Sequence, residues 1–256
     1  NVGNGKYNKA NSAYARGGAQ AAVQMLNTNL DLNIKEYMCV DWGAVTEAVD
    51  ALGGVEVDIT EQERKLINEW VVEVDYYVGT TSPKIKEAGL QTLNGAQATT
   101  YARLRKTAGN DFKRTSRQRI VLEAMLNKAK QSDIGTLLDI CEAVFDDVST
   151  SLDLKEIIGL ARHVKEYTIG STSGFPFEMT TKELAQTNST VVPIGLEDDV
   201  AMLHKYLFDT DDYQPSKTVQ VISQAIIDKT GVSADASGIN VDEFNDTAGQ
   251  SGTVFK

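Results

Sequence analysis

The chain has 256 residues, 41% of them hydrophobic, and a formal net charge of -11. That length suits one large domain or two small ones, and the acidic balance excludes general nucleic-acid binding or attachment to anionic membrane surfaces as the main role. No apolar run reaches the roughly 18 residues that a membrane span needs, and no CxxC includes Cys39 or Cys141, which leaves zinc ribbons and thioredoxin-like sites without support.

In chain order, Ala13 to Leu26 is rich in strong helix formers, with Asn11 or Ser12 as its cap. Residues 35–41 read as a buried strand. Val45, Ala48, Val49 and Leu52 form a helical stripe that Gly53–Gly54 stops. VEVDI (55–59) alternates apolar and acidic residues, as a strand with one wet face does. Residues 61–78 read as a polar amphipathic helix or a helix plus strand, and 79–83 as loop. Asn94 caps a short helix in LNGAQATTYARLR, the turn KTAGN follows, and Asp111 caps a helix over about 112–130.

Helices are expected over 134–147, 153–165, 197–207 and 216–229. Between them, 167–183 reads as strand and loop anchored by Phe175 and Phe177, and 191–194 as a short strand. From Ser233 the sequence is small, polar and acidic, the composition of a disordered tail or linker. Alternating strands and helices in the first half give a layered α/β class. The glycine pairs at 17–18 and 53–54 are read as structural turns. Trp42 and Trp70 read as core or insertion anchors, with sugar stacking as the other use of an indole. His163 and His204 lack a second ligand at metal spacing and read as surface or satisfied core residues, and the acids Glu197, Asp198 and Asp199 as the first turn of a helix.

Residues 103–119 hold seven of the chain's 25 Lys and Arg residues and one acid, Asp111. Asp111, Arg114 and Gln118 fall on one helical face with Arg117 beside it, at a helix N-terminus whose free amides also favour an anion. Arg103 and Arg105, two apart, point the same way from an extended segment. Folded back by the 106–110 turn, they would surround one pocket with four arginines and a glutamine. That donor count suits a pyrophosphate, because guanidinium forks bind phosphate bidentately and stay charged. The other reading is a solvated basic face, which Lys106, Lys113 and Arg119 fit.

Four ordered blocks then carry a resemblance: KANSAYARGG (9–18), VDWGAVTEAVDALGGVEVDI (40–59), GLQTLNGAQATTYARLR (89–105) and NDFKRTSRQR (110–119). Together they resemble the LytR-CpsA-Psr family of cell-envelope proteins over about four-fifths of the chain. The resemblance implies a central mixed sheet flanked by helices, with residues 1–210 as the catalytic domain and 211–256 as a C-terminal helix and acidic tail. It implies a phosphotransferase that moves a glycopolymer, such as teichoic acid or capsule, from an undecaprenyl-pyrophosphate carrier onto peptidoglycan at the extracytoplasmic face of a bacterial membrane. Matched by position, Arg103, Arg105, Arg114 and Gln118 bind the pyrophosphate, Arg117 is a further candidate, and Asp111 orients an arginine or takes the acceptor proton. Magnesium or manganese is the implied cofactor. The family's metal-binding aspartates, a further arginine and a membrane anchor precede the block that begins near Lys9, so the chain reads as a piece without its metal ligands. A non-catalytic binder of polyprenyl phosphate or anionic glycopolymer, and an envelope-related regulator, are the alternatives.

Overall fold

The computed structural model describes residues 1–105, 110–233 and 235–240, with the backbone alone at 110–112, 143, 146 and 240. Part of the expected 106–110 turn, and residues 241–256 of the expected tail, lie outside the described residues. The chain divides into two compact units, one formed by Asn1–Tyr37 with the segment from Phe175 onward, the other by Met38–Gly174.

The second unit opens with β1 (Met38–Val40), paired antiparallel with β4 (Val148–Thr150). β1 is shorter than the expected 35–41 strand and is not buried: Met38 and Val40, two apart and therefore on one face, are 51% and 49% exposed. α2 (Trp42–Ala51) follows, its N-terminus capped by Asp41, whose Oδ1 accepts from the Ala44 amide at 2.8 Å. β2 (Val55–Ile59) alternates buried and exposed as its sequence demands and pairs antiparallel with β3 (Gly89–Leu93). β3 has no counterpart in the sequence reading. Gly54 lies at φ 88°, where a Cβ would come within 2.9 Å of the Leu93 carbonyl oxygen, so glycine is required at that crossing.

α3 (Glu61–Val78) is one helix, with a Thr60–Glu63 capping box at its start and Gly79 in the left-handed region at its end. The loop behind it is pinned by side chains. Asp75 accepts from the Ser82 amide at 2.9 Å and the Ser82 hydroxyl at 2.8 Å. Asn68 bonds both backbone groups of Ile85 at 2.8 Å.

α4 (Gly95–Arg103), capped by Asn94 as expected, is buried at every position from Gly95 to Ala102. It lies tight against α2: the Gly95 amide donates to Asp50 Oδ1 at 2.7 Å, and the Thr46 and Thr99 hydroxyls meet at 2.8 Å. α5 (Asn110–Gln131), α6 (Ile134–Val144) and α7 (Leu154–Arg162) complete this unit, with short 3-10 turns at Phe145–Asp147 and Val164–Glu166. Its core gathers Val49, Val57, Ile67, Leu93 and Tyr101 between β2–β3 and the helices.

In the first unit, α1 (Asn11–Leu30) is kinked at Gly17–Gly18, where both residues leave helical geometry. Its N-cap is Ala10, with no side-chain bond, rather than Asn11 or Ser12. β5 (Glu178–Leu184) and β6 (Asn188–Pro193) form a hairpin, with β7 (Ile239–Asn240) on the other edge of β5. α8 (Leu196–Phe208) and α9 (Lys217–Thr230) match the expected helices. Asp31, left-handed at the end of α1, ties that end to α9 by accepting from the Ser216 amide and hydroxyl at 2.7 Å each. His204 is buried, bonds the Leu30 carbonyl at 3.0 Å and stacks on Tyr213. His163 is exposed and pairs with Glu166 at 2.9 Å. Both histidines are thus satisfied as the sequence suggested.

The α/β class is as expected. The single central mixed sheet is not formed among the described residues: the strands make three separate antiparallel sheets, of two, two and three strands. Cys39 and Cys141 are free and half-buried. Among the described residues no helix is long and apolar enough to cross a membrane.

Two tests follow from this packing. A Cβ at Gly95 would run into the Thr46 carbonyl oxygen, so Gly95→Ala is expected to lower stability by about 1–3 kcal/mol, seen as a lower urea midpoint at unchanged m. Asp199 is buried, its Oδ1 accepts from the Phe177 amide at 3.1 Å, and burial pushes its pKa up to about 7 despite that bond. The folded state therefore holds a proton that the unfolded chain releases, and the associated stability is full below the unfolded pKa and lost as pH rises toward 7. Asp199→Asn is expected to flatten stability against pH between about 4 and about 7, as read by denaturant titration at several pH values.

Candidate functional site

The site follows from how α4 ends. Its flanks are buried throughout, so only its C-terminus reaches solvent, and the first residue to do so is Arg103. Leu104 leaves the helix at φ -57° and ψ 126° and turns its side chain into the core, being 5% exposed. A buried leucine between two exposed arginines sends both guanidiniums outward. They line one cavity of about 170 Å3, with Thr100 on α4 and Trp70, Glu73 and Val74 on α3. A cation at the last turn of a helix also complements the macrodipole.

Arg103 is held by an aromatic face: its Cζ lies 5.8 Å from the centre of the Trp42 ring, itself 40% exposed at the start of α2. Trp42 is thus no core anchor, and Trp70 is a half-buried cavity wall. Such a cavity, with two fixed cations, an indole and a carboxylate, suits a phosphorylated ligand carrying a sugar or another flat, partly apolar group.

Arg114 and Gln118, one turn apart on α5, are half-buried and are not among the described lining residues of this cavity. Asp111 falls in the first turn of α5, and its side chain lies outside the described residues.

Arg117 lies in the interior of the unit. It is 3% exposed, its Nε donates to Glu63 Oε1 at 2.8 Å, and its Nη1 donates to the Leu104 carbonyl at 3.1 Å. Its guanidinium is thus enclosed in the unit and is not among the described lining of the cavity. One position along the helix is about 100° of rotation, which carries residue 117 from the Arg114–Gln118 face onto the core face.

Glu63 is equally enclosed, and its second oxygen accepts from the Thr60 amide at 2.9 Å and the Thr60 hydroxyl at 2.8 Å. The Tyr101 ring lies 5.8 Å from the Arg117 guanidinium, and its buried hydroxyl has no hydrogen-bond partner among the described residues. Burial first, then the charge of Glu63, raises the phenol pKa and keeps it protonated.

Sequence reasoning missed Glu63, Glu73 and the use of both tryptophans. For Glu63 the available signal was the T-x-x-E spacing, which by itself indicates only a cap. No cluster of three or more His, Cys, Asp or Glu occurs among the described residues. Glu63 is committed to Arg117 and Thr60, which leaves Glu73 as the carboxylate among the described lining of the cavity.

The profile of the LytR_cpsA_psr family matches residues 1–203. The polyisoprenyl-teichoic acid–peptidoglycan teichoic acid transferase TagU of Halalkalibacterium halodurans is 34% identical over 155 residues, covering 60% of this chain and 46% of the relative. A solved transcriptional regulator from Enterococcus faecalis superimposes with a TM-score of 0.65 at 25% identity, over 90% of this chain and 79% of that one. Bacillus subtilis TagV superimposes with a TM-score of 0.57 at 24% identity, over 83% of this chain and 78% of that one, a likeness of fold. The chain spans about half the length of the curated relatives it matches.

Removing one partner of a buried ion pair strands the other charge in a medium that cannot hydrate it. Glu63→Ala is therefore expected to cost about 3–5 kcal/mol, measured by chemical unfolding, far more than a surface Glu61→Ala control.

Proposed function

The chain belongs to the LytR_cpsA_psr family, and from that premise we propose that it takes part in moving a glycopolymer from a polyprenyl-pyrophosphate carrier to a peptidoglycan hydroxyl in the bacterial cell envelope. The observation that carries this reading is the pair Arg103 and Arg105, both exposed and both facing one cavity. The teichoic acid transferase relative supports the substrate class.

In this reading Arg103 and Arg105 bind the pyrophosphate oxygens, and Arg114 and Gln118 add donors from α5. The acceptor hydroxyl attacks the phosphorus nearer the glycan. The new O–P bond forms as the bridging P–O bond breaks, and polyprenyl phosphate departs. Charge gathers on the phosphate oxygens as this happens, and fixed guanidiniums stabilise it without any proton transfer of their own. Asp111 is assigned to orienting an arginine or receiving the hydroxyl proton. Arg117 is assigned to the scaffold. No step is routed through a metal.

Each cavity arginine is expected to contribute about 1.5–3 kcal/mol, the range for hydrogen bonds to charged groups. Arg103→Ala and Arg105→Ala should each weaken binding of a polyprenyl pyrophosphate by that amount in calorimetric titration. Transfer of labelled lipid-linked glycan to peptidoglycan then separates transferase from binder: binding without transfer supports the non-catalytic reading. Unchanged affinity in both variants removes the cavity from the site.

A further inference from the structure

The backbone between the two cavity arginines carries the carbonyls of Arg103 and Leu104, and Arg117 holds the Leu104 oxygen from the protein side at 3.1 Å. α4 has ended at Arg103, so carbonyls here have lost their helical partners. Leu104 lies outside the α4 ladder, and the Arg117 guanidinium donates to its carbonyl oxygen.

Arg117 is itself aimed by Glu63, at 2.8 Å, and Glu63 is aimed by the amide and hydroxyl of Thr60. The chain of bonds runs from the start of α3, through α5, to the end of α4. The two ends of that chain belong to the elements that form the cavity walls: α3 supplies Trp70 and Glu73, and the end of α4 supplies Arg103 and Arg105.

We propose that Glu63 and Arg117 are positioning residues for the anion site: together they fix the Leu104 carbonyl, and with it the directions in which Arg103 and Arg105 leave the backbone. This rests on the reading of those two arginines as a pyrophosphate clasp. Energetics favour a positioning role over a purely stabilising one. Two charges enclosed at 4% and 5% side-chain exposure forgo hydration, and an apolar pair of similar volume commonly stabilises a fold as well or better. What an apolar pair cannot do is donate to Leu104 from a fixed direction. Arginine's planar fork can reach a carboxylate and a carbonyl at once, and lysine's single ammonium cannot do so with the same geometry.

The test uses the whole chain and geranylgeranyl pyrophosphate as probe. The chain has two tryptophans, Trp42 and Trp70. One lies under Arg103 and the other lines the cavity, so intrinsic emission reports on the site without a label. The double variant Glu63→Leu/Arg117→Met removes both charges together. It is expected to keep a thermal midpoint near that of the parent, to shift the Arg103 and Arg105 Nε–H resonances in 15N NMR, and to bind the probe about tenfold or more weakly. Parent-like stability with parent-like affinity and unmoved resonances overturns the proposal. If the double variant does not fold, Arg117→Lys decides: reduced affinity at an unchanged midpoint supports positioning, and parent-like affinity overturns it. A parent chain that ignores the probe, or that binds it equally well with Arg103 and Arg105 both changed to alanine, overturns the clasp reading instead, and the positioning role with it.

Discussion

The larger unit is organised around one buried ion pair, Glu63 with Arg117. Each group gives up water to enter the protein and is held there by directed bonds: the Thr60 amide and hydroxyl donate to Glu63, and Arg117 donates to Glu63 and to the Leu104 carbonyl. In a medium of low polarity such bonds are strong when complete and costly when one is missing. The pair therefore acts as a single unit. It also joins three helices that hydrophobic contact alone would allow to slide, because apolar packing is not directional.

The second constraint is the close approach of α4 to α2. Gly95 has no side chain, so the helices meet there backbone to backbone, and Thr46 and Thr99 satisfy one another behind it. Complete burial of α4 from Gly95 to Ala102 leaves its C-terminal end as the part that reaches water. An exposed pair of arginines at that end is thus a consequence of packing. The same helix that gives the unit its core, through Tyr101 and Ala98, carries Arg103 to the surface at its last turn.

The smaller unit uses buried polar groups differently. Asp31 closes the end of α1 onto the start of α9, and His204 satisfies the Leu30 carbonyl while stacking on Tyr213. Asp199 holds the amides of Phe177 and Glu178 where β5 begins. These are local closures at element ends. None links cavity walls as the Glu63–Arg117 pair does in the larger unit.

The sequence by itself determined where most of the helices lie, the α/β class and the family, because each is written in short range. Alternation marked β2, the cap Asn94 marked α4, apolar spacing marked α6 and α7, and four ordered blocks marked the family. It also located Arg103 and Arg105, since charge density is visible without coordinates. Tertiary structure alone decided which arginine faces water. Residues 114, 117 and 118 are neighbours on one helix, and whether the next residue round is ligand or scaffold depends on what lies across from it. For Arg117 that is Glu63, 54 positions away in the chain. Periodicity reports which residues share a face; it carries no information about a partner so distant in sequence. β3 escaped for the same reason, because its alternation acquires meaning only beside β2. So did the roles of Trp42 and Trp70, which an indole's chemistry leaves open until a guanidinium and a cavity are brought against them by the fold.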